Sequence, residues 1–169
     1  MATESLWNDI DAKLKSELLA YMGSGSSFST LRLKSVEVAT YTDPQRWNNK
    51  DAPFAVITGQ TETPESVEHQ DLYTPNQEIR YRYGIMTIVN GDQETATRDT
   101  KIMDARVRRF VLNQIVSLPR MPADTLGNNV VGVVPFRAEV YVYPVVGKDN
   151  QCLGVSLRAF DVIAHMRGD

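Results

Sequence analysis

Two histidines, one cysteine and a scatter of carboxylates are what this chain offers for chemistry. His69 lies among Glu65, Glu68 and Asp71, a set of oxygen donors able to hold a hard cation. The glycine-centred loop of a calcium hand is missing there, and the cluster reads better as a solvated acidic loop. A zinc site needs three or four ligands, and no His/Cys spacing around His69, His165 or Cys152 supplies them. Cys152 falls in an alternating apolar run, where a lone cysteine is more often a small hydrophobe than a nucleophile. No G-x-S-x-G elbow occurs, and Asp9 and Asp11, two residues apart on a helical pattern, face different directions. The residues predict no catalytic centre, no cofactor and no metal.

Charge and aromatic patterning say more. Arg98, Lys101, Arg106, Arg108, Arg109 and then Arg120 make one local positive field. Phosphate contacts are one use for such a field. With a formal charge of -3 and no nucleic-acid-binding signature, a subunit contact or a solvated helix face fits it better. The opposite charge collects at 59–78, where Glu62, Glu65, Glu68, Asp71 and Glu78 occur and no Lys or Arg appears between Asp51 and Ile79. Tyr81, Tyr83, Tyr141 and Tyr143 alternate along two strand-like runs. They either cover the sheet or form a protein interface, where Tyr and Arg are enriched.

These residues must be positioned by a plain series of elements. Leu6, Trp7, Ile10, Leu14, Leu18 and Tyr21 recur at three- and four-residue steps and predict an amphipathic helix over about 4–22, with Thr3 to cap it and Gly23 to end it. After a Gly/Ser connection, the alternation at 31–41 predicts a strand. Phe54–Thr58 predicts a buried one, entered through Pro53. The stretch 59–78 reads as a long polar insertion without regular structure, a kind usually functional or mobile. Ile85–Val89 is apolar on both faces and reads as a central strand ended by Asn90-Gly91. Over 95–117 the period is helical again, with Met103, Val107, Phe110, Val111, Ile115 and Leu118 inward. Lys101, Asp104 and Arg108 lie opposite, Asp104 pairing Arg108, until Pro119 and Pro122 stop the helix. Phe136, Ala138, Val140 and Val142 alternate with Arg137, Glu139, Tyr141 and Tyr143, predicting a strand with one buried face. Gly147–Asn150 has hairpin chemistry, and Leu153, Val155, Leu157 and Ala159 repeat the alternation.

The length of 169 residues fits one α+β domain, 1–169, with a mostly antiparallel mixed sheet of four to five strands and two helices on one face. A hydrophobic fraction of 42% and a charged fraction of 23% are those of a soluble globular chain. A single cysteine rules out an intrachain disulfide and suits a reducing cytoplasm. Neither a secretory leader nor an apolar stretch of bilayer length is visible.

This order of elements resembles the tail terminator (tail-completion, head–tail joining) proteins of long-tailed bacteriophages. The resemblance is carried by the leading helix Leu6–Tyr21, the strand Ala52-Pro53-Phe54-Ala55-Val56-Ile57, the Tyr-rich strand Tyr81–Val89, the second helix Ile102–Leu118 and the closing strand Val155–Ile163. It covers nearly the whole chain and is architectural, with no diagnostic motif. It implies a virion structural protein of the tail or neck, present in the host cytoplasm during assembly. It also implies a homo-oligomeric ring, a hexamer, that caps the tail tube and joins it to the head-side connector, with no catalytic residue. DNA would pass through the channel without specific binding, and no membrane is involved. The acidic stretch would be a contact arm or would line the channel. Other neck, connector or minor tail proteins are the nearest alternative. A small cytoplasmic ligand-binding or enzymatic α+β domain is the alternative from another class.

Overall fold

A computed structural model describes residues 3–39, 51–64, 76–115 and 130–167. The elements follow the order α1 (Thr3–Met22), β1 (Ser35–Val38), β2 (Phe54–Pro64), β3 (Asn76–Gly91), α2 (Gln93–Arg109), a π-helical extension (Phe110–Ile115), β4 (Val130–Pro144) and β5 (Cys152–Arg167). The strands form one five-stranded sheet in the order β1-β2-β3-β5-β4. β1 pairs with β2 in parallel and every other pair is antiparallel. With both helices packed against that mixed sheet, the fold is α+β.

Side chains of a strand alternate between faces, so the register assigns each face its residues. On the inner face, Ala55, Ile57, Tyr81, Tyr83, Ile85, Phe160 and Val162 meet Ile10, Leu14, Leu18 and Met22 of α1. The four α1 residues recur every fourth position, which makes them one stripe. Met103, Val107 and Phe110 bring α2 onto the same core. The outer face carries a smaller cluster of Phe54, Val56, Ile88, Leu153 and Val155. Both faces of β2 and β3 are therefore buried, and that is why their central runs are continuously apolar.

α2 lies close on β3 and β5 because the residues beneath it are small. A Cβ at Gly154 would stand 2.9 Å from the Ala96 carbonyl oxygen and from Val89 Cγ2, and closer still to Thr100 Oγ1. Beside Gly154, the buried Thr87 and Ser156 hydroxyls hydrogen-bond to each other across the directly opposed pair Thr87↔Ser156. Asp92 caps the helix, its carboxylate accepting from the Thr95 N–H at 2.7 Å. At the other end the Phe110 N–H is shared between the Arg106 and Val107 carbonyls, where the α-helix widens into π geometry.

Several elements depart from the sequence expectation. The strand anticipated over 31–41 is confined to Ser35–Val38, with one further bridge between Gly23 and Leu33. The polar insertion is shorter than 59–78, because Gly59–Pro64 continue β2 and Asn76–Glu78 belong to β3. Their polar residues carry no hydrophobic signal, and backbone pairing with Tyr83–Ile79 and Arg167–His165 makes them strand. Glu65, Glu68, His69 and Asp71 lie outside the described residues, as do Pro119, Arg120 and Pro122. The helix expected over 95–117 begins at Gln93 and becomes a π-helix at Phe110. β4 lacks the buried face expected over Phe136–Val142, and among its described side chains only Val133 is buried. Phe136, Ala138, Val140, Tyr141 and Tyr143 are all exposed, because β4 is the edge strand and the cores described above lie under its neighbours.

Candidate functional site

The outer face of α2 carries a group of exposed cationic side chains. Arg98, Lys101, Arg108 and Arg109 are exposed, with the exposed Ile102 and Leu112 beside them. Arg98 Nε reaches the Asp99 carboxylate next to it at 3.0 Å. Lys101, Arg108 and Arg109 have no ion-pair partner among the described residues. Arg108 and Arg109 lie in the last turn of α2, where cations suit the dipole.

Two residues expected on this face are used otherwise. Asp104 does not pair with Arg108; it receives both nitrogens of Arg158 on β5, at 2.9 and 2.8 Å. That bidentate, half-buried bond ties α2 to the sheet and orients its outer face. Arg106 turns toward the segment after α1. Its Nη1 donates to the carbonyls of Thr30 and Leu31 at 2.8 and 2.9 Å, and its guanidinium lies 4.1 Å from the Phe28 ring centre. Leu31 has a φ of 52°, the left-handed region that a β-carbon disfavours, and the Arg106 bond satisfies its carbonyl there. Burial draws the Arg106 pKa down from its ordinary value.

The four tyrosines separate into two pairs. Tyr81 and Tyr83 are wholly buried on the inner face, so the expected interface role does not hold for them in this fold. Tyr83 stacks on Phe160 with ring centres 6.0 Å apart. Its hydroxyl and Asp11 Oδ1 are buried close to each other and find no further hydrogen-bond partner among the described residues. Desolvation, then the nearby Asp11 charge, pushes the Tyr83 phenol far up, and desolvation raises the Asp11 carboxyl as well. Tyr141 and Tyr143 are exposed on the outer face of β4 and stack at 5.9 Å. Tyr141 donates to Glu139, which also pairs with Arg137.

Two features were not legible in the sequence. On the outer face Asp161, 2% exposed, binds Arg82 through both oxygens at 2.9 and 3.2 Å and has Arg80 at 3.6 Å. Arg82 in turn lies 4.0 Å over the Phe136 ring and so braces the edge strand. Between the end of α2 and β4 runs a groove of ≈ 330 Å³ lined by Arg108, Val111, Leu112, Phe136 and Ala138, among others. Its lining combines apolar Val111, Leu112, Phe136 and Ala138 with the cationic Arg108, Arg137 and Arg158.

Among the described residues no three His, Cys, Asp or Glu gather as metal ligands, and no helix is long and apolar enough to cross a membrane. Glu62 has its backbone in β2, paired with Tyr81. Cys152 is half-buried at the start of β5. No protein-family model matches the chain, and no curated protein matches it.

Proposed function

We propose that this chain is a virion structural subunit, the tail terminator whose copies form a ring that caps the tail tube and joins it to the head-side connector. The observation supporting this reading is an exposed cationic helix face on an α+β subunit whose sequence collects acidic residues in a different segment. The outer face of α2 presents Lys101, Arg108 and Arg109 without partners among the described residues. In the sequence, Glu62, Glu65, Glu68, Asp71 and Glu78 collect in one stretch, with no Lys or Arg between Asp51 and Ile79.

The cationic helix and the acidic stretch are different segments of the chain, so copies joined through them would meet head to tail. Heterologous contacts close into a ring when the rotation per subunit allows it and otherwise run on as a filament. A terminator is a device of geometry, and a cationic helix face met by the neighbour's acidic segment sets such a geometry without chemistry. An acidic lining would also keep DNA phosphates from adhering.

The test is charge reversal and its repair. Arg108→Glu with Arg109→Glu should abolish rings on tail ends while the isolated chain keeps its circular dichroism spectrum. Adding Glu65→Lys and Glu68→Lys should restore assembly. Normal ring yield from the arginine variant would overturn the proposed contact, and a strict monomer on finished particles would overturn the function.

A further inference from the structure

Among the described residues, the edge of the sheet formed by β4 has no partner strand. It is 15 residues long, whereas the opposite edge, β1, has 4. Natural sheets blunt a long edge with charges, bulges or proline, because unpaired N–H and C=O groups template further pairing. β4 has a register shift at Val130/Gly132 and carries Arg137 and Glu139, and it uses proline at two places. Pro135 stands at the register shift between Pro135 and Arg137, and Pro144 ends the strand. Proline lacks the N–H that an added strand would need. Between them lies an unbulged run whose side chains are exposed on both faces, Val140 at 41% and Tyr141 at 42%.

The direction of the free backbone groups in this run follows from the hairpin that closes it. The Val145 N–H donates to the Gln151 carbonyl. Antiparallel ladders alternate, and the register keeps one offset from Arg137↔Ala159 to Pro144↔Cys152. Arg137, Glu139, Tyr141 and Tyr143 therefore bond toward β5. Ala138, Val140 and Val142 aim their N–H and C=O groups out of the sheet.

We propose that this edge is a homotypic contact: β4 pairs antiparallel with β4 of a second copy about a two-fold axis at Val140, making one continuous sheet of both molecules. Val140 then faces its own mate and Ala138 faces Val142. All the outward groups of the run are matched, with about six inter-chain hydrogen bonds. On the outer face Arg137 meets the Tyr143 ring and Glu139 meets the Tyr141 hydroxyl of the mate. Each copy contributes one positive and one negative side chain to the run, so two neutral strands meet. The four-residue β1 would leave most of this edge bare, whereas a second β4 covers it. The proposal stands on the sheet edge and not on the ring reading, which uses α2 and the acidic segment.

The test uses the full-length chain in solution. Sedimentation velocity should show a dimer, and Val140→Lys should raise its dissociation constant about a hundredfold or more, because like charges directly opposite repel. In a Cys152→Ser background, Val140→Cys should link two copies by a disulfide under mild oxidation, since paired Cα atoms stand about 5.5 Å apart. Ala138→Cys should not, because its copies are roughly 13 Å apart along the strands. A monomer at every concentration would overturn the proposal and leave the edge to a different protein. So would a dimer that survives Val140→Lys, or a disulfide at 138 and none at 140. None of these outcomes bears on rings at tail ends, which are read on particles.

Discussion

Gly154→Ala tests how the sheet sets the position of the arginine-bearing helix. The new Cβ would lie 2.9 Å from both the Ala96 carbonyl oxygen and Val89 Cγ2, and would overlap Thr100 Oγ1 more severely. Ordinary contacts to carbon start near 3.5 Å, so about half an ångström must be found at the first two atoms alone. Ala96 contributes backbone inside a helix, and the Thr100 hydroxyl is held by its bond to the Ala96 carbonyl at 2.6 Å. Neither can turn aside, so α2 must lift from β5. Overpacking of this kind costs about 1–3 kcal/mol, and two rigid neighbours place this site at about 2–3. For a chain of this size the melting temperature should fall by about 4–12 °C. Thermal unfolding followed by circular dichroism measures it, and a double-mutant cycle identifies the cause. Thr100→Ala removes the worst overlap, so Gly154→Ala should cost at least about 1 kcal/mol less in that background. Additive effects, or a Gly154→Ala chain as stable as the parent, would refute the account of α2 packing.

Two further perturbations read other parts of the same framework. Arg106→Ala removes two charge-assisted bonds to the Thr30 and Leu31 carbonyls and the Phe28 stack, and should cost about 1–2 kcal/mol in urea unfolding, the half-exposed position taking it below the full value for such bonds. Arg106→Lys should recover only part of it, because an ammonium has no planar face to lay on the ring. Asp11→Asn should stabilise the chain at neutral pH and leave it unchanged at pH 3. The Asp11 carboxyl pKa is raised by desolvation, so its cost is absent below the unfolded value of 3.8, where both states are protonated. That cost grows as pH rises toward the folded pKa and is complete above it. An equal effect of Asp11→Asn at both pH values would show that the carboxylate is not desolvated in the fold.

The terminal loops of the elements were legible because their chemistry is local. Gly147 and Asn150 take φ of 81° and 59°, as a tight hairpin needs, and β3 ends at Gly91 of the Asn90-Gly91 pair expected to stop it. Period and composition likewise marked both helices and the buried centres of β2, β3 and β5, since side chains that must avoid water repeat with the geometry of their element. What period could not give is which alternating strand lies at the edge. Phe136, Ala138, Val140 and Val142 have the pattern of a buried face, yet β4 ends the sheet and Phe136 is 57% exposed. The tyrosines make the same point, since one alternation serves a core strand at Tyr81 and Tyr83 and an exposed one at Tyr141 and Tyr143.

Sequence by itself determined the α+β order, the helical stripes, the turns and the segregation of acidic from basic residues, because each depends on neighbours within about one or two turns of chain. Tertiary structure decided the rest. It sent Asp104 to Arg158 and not to Arg108, a choice between a bidentate half-buried bond and an exposed i, i+4 pair worth only about 0.2–0.5 kcal/mol. It turned Arg106 inward to a carbonyl 75 residues away, buried Asp161 under two arginines and left one face of α2 and one edge of the sheet without partners among the described residues. Pairings between distant segments are fixed by sheet order and burial, which no local pattern encodes.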